Sequence, residues 1–256
     1  MNRLLVETAA LGQDVPELDA DALRHMKVWR LKDGEGVELF DGSGRVRLYR
    51  YRAGIRRLAS AGNCRFFAPP RRGLVLFACV TKGSRWDWTL EKATELGVSR
   101  IVPVLSARTI VRIPPAERAA KQARWRRIVE DAARQSGAVW LPEITEPIDF
   151  PAVFPLVEAT QCFVGALTEP PPPPLLAAVR AAQDDAAPGN RDLALFVGPE
   201  GDFTPEELAE LLRRAAPASF GPTVLRAETA ALYGLSVLAA VLAVAPAGAI
   251  APGRPF

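Results

Sequence analysis

The hydrophobic pattern of the chain divides at Pro69-Pro-Arg-Arg-Gly73. Before that point, apolar residues come in short runs separated by turn formers. Val37-Glu-Leu-Phe40 leads into Asp41-Gly-Ser-Gly44, a strong hairpin turn, and Arg45-Val-Arg-Leu-Tyr-Arg-Tyr-Arg52 then alternates with the period of two expected of a strand. These short strands predict a small β-barrel. After the proline-rich linker, strand-like runs at 74–80, 101–105, 162–167 and 193–197 alternate with helical segments at 86–96, ended by Gly97, and 117–136, ended by Gly137. Such alternation predicts an α/β domain with a mainly parallel sheet. The implied domains are therefore 1–73 and 74–256.

Two stretches near the carboxyl end carry the candidate chemistry. In Leu193-Ala-Leu-Phe-Val-Gly-Pro-Glu-Gly-Asp-Phe-Thr-Pro-Glu-Glu207, a buried strand meets a turn forced by Gly198, Pro199 and Gly201. A helix follows, with Thr204 at the N-cap, Pro205 at the first helical position and Glu207 completing a capping box. A strand end next to a helix N-terminus turns backbone N–H groups outward and suits small ligands, although a plain tight connection looks the same. The glycine spacing is neither G-x-G-x-x-G nor G-x-x-x-x-G-K-[ST], which argues against a dinucleotide or P-loop site. The second stretch is Leu225-Arg-Ala-Glu-Thr-Ala230, which follows Phe220-Gly-Pro222 and leads into the charge-free run 229–245. Capping alone also accounts for Glu and Thr at a helix start.

Composition narrows the class. An apolar content of 49% supports a proper core. Cys64, Cys79 and Cys162 are scattered, which excludes a disulfide framework or a zinc ribbon and points to a reducing compartment. His25 is the single histidine, so a metal site built from several histidines is excluded, and there is no G-x-S-x-G elbow for a serine triad to use. The start of the chain is charged too early for a signal peptide. The run 229–245 contains Tyr233, Gly234 and Ser236 and falls short of the ~20 residues of a membrane span, so it reads as a buried or interface helix.

Net charge is only +3, but residues 1–73 hold 14 basic against 9 acidic side chains, while the remainder hold 18 against 20. Between residues 45 and 72 there are nine arginines and no acid. A basic module on a nearly neutral body suggests a polyanion partner. By the period of two, Arg45, Arg47, Tyr49 and Tyr51 share one strand face, where guanidinium groups and rings would suit RNA. On the 117–136 helix, Arg124, Arg127, Asp131 and Arg134 fall within about 80° of one another, opposite an apolar face of Trp125, Ile128, Val129 and Ala132. A second RNA contact and a solvated outer face are both compatible with that pattern.

Taken together, Lys82-Gly-Ser-Arg-Trp-Asp-Trp-Thr-Leu-Glu-Lys-Ala-Thr-Glu-Leu-Gly97, Val197-Gly-Pro-Glu-Gly201 and Leu225-Arg-Ala-Glu-Thr-Ala230 resemble the RsmE family of bacterial 16S ribosomal RNA uridine-N3 methyltransferases, of the knotted SPOUT class. Leu23-Arg-His-Met-Lys-Val-Trp-Arg-Leu-Lys-Asp-Gly34 is similar to the family's N-terminal signature, with Trp29 where leucine is usual. The resemblance implies a PUA-like RNA-binding β-barrel followed by a SPOUT α/β domain with a trefoil knot within about 160–245. It implies S-adenosyl-L-methionine as methyl donor, a homodimer whose partner completes each pocket, 16S ribosomal RNA in the small ribosomal subunit as partner, a cytoplasmic location, and no metal or membrane.

Carried over residue by residue, the donor would meet Leu167, Thr168, Val197, Gly198, Pro199, Glu200, Gly201, Leu225, Arg226, Glu228, Thr229 and Ala230, with Gly198 and Gly201 letting the backbone come close. The acceptor nitrogen must lose a proton, so Arg226 is the candidate for stabilising the uracil oxyanion, and Glu228 or Glu200 for orienting the base or accepting the proton. The RNA candidates are Arg3, His25, Arg30, Arg45, Arg47, Lys82, Arg85, Arg124, Arg127 and Arg134. Two departures from the family pattern are Asp202, where glycine is usual, and Tyr233-Gly234, where alanine-leucine is usual. A non-catalytic RNA-binding or ribosome-assembly factor and a nicotinamide-dependent oxidoreductase are the rival classes.

Overall fold

A computed structural model describes residues 2–184 and 191–244. Ala245, placed in the C-terminal helix by the sequence pattern, lies outside the described residues. The chain forms two compact units. The described part of the first holds 2–69 and 130–141, and that of the second holds 70–129, 142–184 and 191–244. The segment 130–141 thus belongs with the N-terminal residues, a long-range association that local periodicity does not encode.

The first unit contains β1 (Asn2–Leu5), α1 (Thr8–Leu11), α2 (Ala20–Trp29), β2 (Gly36–Phe40), β3 (Arg45–Arg52), β4 (Arg57–Ser60) and β5 (Arg65–Phe66). Its strands run in the order β1-β2-β3-β4, with β5 pairing β3; β1 and β2 are parallel and the other pairs antiparallel. The turn between β2 and β3 follows its sequence signal. Asp41 accepts hydrogen bonds from the Ser43 amide and hydroxyl, and Gly42 and Gly44 take φ +73° and +87°. The α2 helix starts on an Asp19 cap that accepts from the Ala22 amide, and it ends where Arg30 turns left-handed at φ +49°. Only Ala22 and Met26 of α2 are buried, too thin an apolar stripe to announce a helix.

Packing reverses the expectation for β3. Tyr49 is fully buried, and its hydroxyl reaches the carbonyls of Ala10, Leu11 and Gln13 at 3.0–3.3 Å. Arg47 donates to the carbonyls of Gly62, Leu11 and Gln13 and to Asp14. Neither is presented to RNA. Alternation says which residues share a face, and whether anything covers that face depends on α1 and the loop after it.

Arg3 is likewise a structural residue. It is 7% exposed, donates through Nε to Glu38 at 2.9 Å and through its other nitrogens to the Ala133 and Ala138 carbonyls, each at 3.0 Å, and lies 4.2 Å from the Phe40 ring centre. Its position among the RNA candidates is corrected by this burial. Arg134 is drawn to Asp131 and Asp21 with little of its side chain exposed, so it too leaves the proposed basic face.

The second unit contains β6 (Leu74–Cys79), α3 (Ser84–Glu95), β7 (Arg100–Leu105), most of α4 (Pro115–Ser136), β8 (Glu143–Ile144), β9 (Ile148–Asp149), α5 (Phe154–Glu158), β10 (Gln161–Gly165), α6 (Leu175–Asp184), β11 (Leu193–Val197), α7 (Pro205–Leu212), β12 (Ala216–Ala218) and α8 (Ala227–Val244). The sheet order is β12-β10-β11-β6-β7-β8, with β9 also on β7, and every pair is parallel. All residues of β6 and β11 are buried, as continuous apolar runs in a sheet covered on both faces require. Phe77, Phe150, Phe196 and Phe203 pack together in one core. On α8, a Cβ at Gly234 would stand 2.5 Å from Leu195 Cδ2, so glycine there lets the helix lie close on β11. No helix among the described residues is long and apolar enough to cross a membrane.

Arg3→Ala removes one partner of a buried ion pair and the donor to two main-chain carbonyls, so it should destabilise the protein by about 3–5 kcal/mol. Urea unfolding checks this; a loss below about 1 kcal/mol would match an exposed pair instead.

Candidate functional site

Three neighbouring strands, β12, β10 and β11, end beside one another, and the chain leaving each of them walls a cleft of about 320 Å³. From β10 come Gly165, Ala166 and Leu167. From β11 come Val197, Gly198, Pro199, Glu200 and Asp202. Beyond β12, Ala218 to Gly221 and Thr223 to Arg226 close the far side, with Ala227 and Ala230 at the start of α8. The carboxyl ends of adjacent parallel strands are where open α/β sheets take ligands. The two sequence stretches therefore meet in one cavity.

The glycine turn is braced from outside. The Asp202 amide donates to the Pro199 carbonyl at 3.0 Å. Asp202 itself sits at φ +57°, in the left-handed region that favours glycine, and its carboxylate accepts from the Phe203 amide at 2.8 Å. The capping box forms as spelled: Thr204 Oγ1 accepts from the Glu207 amide and Glu207 Oε2 accepts from the Thr204 amide. The other oxygen of Glu207 accepts from the Ala107 amide at 2.8 Å, in the loop after β7. From that same loop Arg108 donates to the carbonyls of Gly201 and Phe203 at 3.0 and 3.1 Å. Sequence reasoning assigned Arg108 no part.

The glycines serve the protein's own packing. A Cβ at Gly198 would stand 2.9 Å from the Phe203 ring, and one at Gly165 would stand 2.6 Å from the Phe220 ring. At Gly201 the nearest protein atom would be 3.7 Å away, an ordinary contact, so packing within the protein does not demand glycine there.

Of the residues expected to hold a donor, Leu167, Val197, Gly198, Pro199, Glu200, Leu225, Arg226 and Ala230 line the cleft. Thr168, Gly201, Glu228 and Thr229 do not. The Thr168 hydroxyl donates to the Pro170 carbonyl, and the Gly201 carbonyl is taken by Arg108. Glu228 and Thr229 follow the lining residue Ala227 on α8, and the helical turn of ~100° per residue carries them off its face. Buried Oε2 of Glu228 has no hydrogen-bond partner among the described residues. The sequence reading missed Gly165, Ala166, Ala218, Ser219 and Thr223 to Val224; Phe220-Gly-Pro222 was the one local signal, since β12 is only three residues long.

Charge in the cleft is mixed. Glu200 and Asp202 supply carboxylates and Arg226 an exposed guanidinium, while Arg85 of the Lys82-Gly-Ser-Arg85 stretch stands 3.4 Å from Glu200. Arg124 is held by Asp87 at 2.8 Å, a bond that raises its guanidinium pKa above the ordinary arginine value. Arg30, Arg45, Lys82 and Arg127 are exposed, whereas the His25 ring is half-buried, with Nδ1 2.9 Å from the Asp21 carbonyl. Burial pushes the Cys79 thiol up to about 12 and raises that of Cys162 as well, so neither is a nucleophile near neutral pH. Among the described residues, no group of three or more His, Cys, Asp or Glu could hold a metal ion.

A cleft at the carboxyl ends of a parallel sheet, walled by a glycine turn and a helix start, defines this chain as an RNA methyltransferase: residues 69–239 match the family described as "RNA methyltransferase domain", and residues 18–57 match "RNA methyltransferase PUA domain". The chain is 33% identical over 214 residues, 82% of its length, to the ribosomal RNA small subunit methyltransferase E of Mycobacterium tuberculosis, of which the match covers 80%. A relative of the same name from Bacillus subtilis is 30% identical over 158 residues, and the match spans 61% of each chain. The crystal structure of a ribosomal RNA small subunit methyltransferase E from Neisseria gonorrhoeae, bound to S-adenosyl methionine, superposes with a TM-score of 0.78 at 26% identity, covering 94% of this chain and 98% of that one. The chain belongs to the ribosomal RNA small subunit methyltransferase E family.

Because Glu207 both closes the capping box and anchors the loop after β7, Glu207→Ala should reduce stability by about 1–2 kcal/mol. It should also speed hydrogen exchange at Ala107 and Thr204. Exchange mass spectrometry reads both sites, and unchanged protection at Ala107 would show that the second anchor carries no weight.

Proposed function

We propose that this protein transfers a methyl group from S-adenosyl-L-methionine to N3 of a uridine in 16S ribosomal RNA, acting on the assembled small subunit in the cytoplasm. The observation that carries this reading is the single cleft assembled from the Gly198 turn and the Leu225–Ala230 stretch in a chain of this family. Its volume of about 320 Å³ lies within the range of small-molecule sites. The relative from Neisseria gonorrhoeae, crystallised with S-adenosyl methionine, supports the same cofactor here.

The residues present fit that group. Backbone-rich walls between Val197 and Pro199 and around Leu225 suit an adenosine, and the carboxylates of Glu200 and Asp202 suit a cation. When bound, the donor supplies an electrophilic methyl carbon on a positively charged sulfur. The chain's own task is to align the acceptor for in-line attack and manage one proton. Arg226, which lines the cleft and is exposed, would hold the negative charge that develops on a uracil carbonyl as N3 is deprotonated. Glu200 lines the cleft and Glu228 does not, so Glu200 is the better candidate to orient the base or receive its proton. Glu228 then orders the first turn of α8. The target base would be unstacked to reach this depth.

In the same reading, the N-terminal module, residues 1–73, closes as a PUA-like barrel that holds RNA, with exposed Arg30 and Arg45 among its contacts, while Lys82, Arg85 and Arg127 serve on the methyltransferase domain 74–256. The described residues between about 160 and 244 belong to the trefoil knot of the family, and two chains pair through α8. The family membership and the parallel sheet support these assignments. The exposed stripe of Thr229, Tyr233, Ser236, Ala240 and Ala243 along α8 is the surface available for pairing.

Small subunits from a strain lacking its own enzyme, offered with methyl-labelled donor, should acquire label at N3 of one uridine, located by mass spectrometry. Arg226→Ala should lower kcat by ~10²–10³ while the donor still binds in calorimetry. Label on another atom would revise the specificity, and donor binding without any transfer to RNA would sink the assignment.

A further inference from the structure

The arginine and aromatic pairing expected on β3 exists in the first unit, but at a different ring. β5 pairs with β3 so that Phe66 lies opposite Arg45, which puts both side chains on one face of the sheet. Phe66 is 60% exposed. It meets Trp140 in a T-shaped contact, with ring centres 6.2 Å apart at 75°. Trp140 is fixed in turn, because its indole N–H donates to the Phe67 carbonyl at 3.1 Å and its ring packs where a Cβ on Gly44 would intrude to 2.7 Å. The exposed phenyl ring is therefore held in place.

Arg45 lies over one side of this ring, with its guanidinium 5.7 Å from the ring centre and about half of the side chain in solvent. One of its nitrogens donates to Ser43 Oγ at 3.1 Å and lies 3.7 Å from Asp41. The Asp41 carboxylate is itself buried and already accepts from Ser43 and Thr8, so it leaves the outer side of the guanidinium free for an anion. Arg65, next in the strand, turns to the other face toward Glu38 at 3.7 Å. Tyr49, the ring suggested by alternation, is inside the core.

We propose that Phe66 and Arg45 form a subsite for one unpaired nucleotide of RNA, the phenyl face turned away from Arg45 stacking on the base and the guanidinium pairing with an adjoining phosphate. The inference rests on the reading above that RNA is the substrate. Charge selects this occupant over an apolar protein surface: Arg45, Arg50, Arg52, Arg56, Arg57 and Arg65 of the same unit are exposed, and the segment from 45 to 69 carries no acid. Ring geometry selects an unpaired nucleotide over a duplex, since stacked and paired bases do not offer their faces to a side chain.

The test uses the full chain and fluorescence anisotropy of a labelled oligouridine, with a fully paired RNA duplex as the second probe. Phe66→Leu keeps the apolar bulk and loses the π face, so it should weaken oligouridine binding about tenfold. It should leave duplex binding unchanged. Phe66→Trp should restore the affinity. Arg45→Gln should make the salt dependence shallower by about 0.7 in the logarithmic slope, the share of one phosphate contact on a single strand. An unchanged thermal midpoint in Phe66→Leu assigns the loss to binding rather than to folding. If Phe66→Leu binds oligouridine within about twofold of the unaltered chain, the ring is an apolar contact and the subsite is overturned. If the unaltered chain binds neither probe, nor ribosomal RNA, the failure lies in the RNA reading itself.

Discussion

The structure depends on three parallel strands stopping side by side. Once β12, β10 and β11 end together, their ladders stop within a residue or so of Ala218, Gly165 and Val197, with Ser219 making a last bridge to Pro174, and the three exits bend away without closing over one another. Glycine solves the crowding at two of them. At Gly198 and Gly165 the space of a missing side chain is filled by the rings of Phe203 and Phe220, so aromatic packing underlies the two exits and leaves a cavity between them. The cleft is a by-product of how a buried sheet terminates, and the bracing by Glu207 and Arg108 keeps it in one shape.

Arginine plays two parts in this chain, and composition alone does not separate them. Arg3, Arg47, Arg72, Arg108 and Arg191 all donate to main-chain carbonyls, satisfying acceptors that neither sheet nor helix reaches. A guanidinium suits this task because its planar donors can bridge two or three carbonyls at once while its stem lies on apolar surface. Arg30, Arg45 and Arg127 keep their side chains in solvent and remain available to a polyanion. The basic excess of the N-terminal residues is therefore partly internal scaffolding, and the contact surface for RNA is smaller than the arginine count suggests.

Several elements were legible in the chain itself. The fully apolar runs of β6 and β11 have one physical reading, a strand covered on both faces, and the Thr204, Pro205 and Glu207 pattern dictates a helix start whatever surrounds it. Local chemistry also placed the Asp41 turn. What escaped were elements whose stability is borrowed: β12 is three residues held by β10, and α2 buries only two side chains. The site was legible where motif and cavity coincide, as at Glu200 and Arg226, and illegible where a residue contributes through a partner a hundred positions away, as the Ala107 amide does through Glu207.

Sequence by itself determined the periodicities, the caps, the family and the two stretches that bear on chemistry, because each of these is fixed by neighbours within a few residues. The tertiary structure decided which side chains of those stretches face the cavity, which arginines are spent inside, and that Phe66 rather than Tyr49 is the ring left in solvent. Those outcomes turn on which surfaces are covered by distant parts of the chain, and covering is a property of the packed whole.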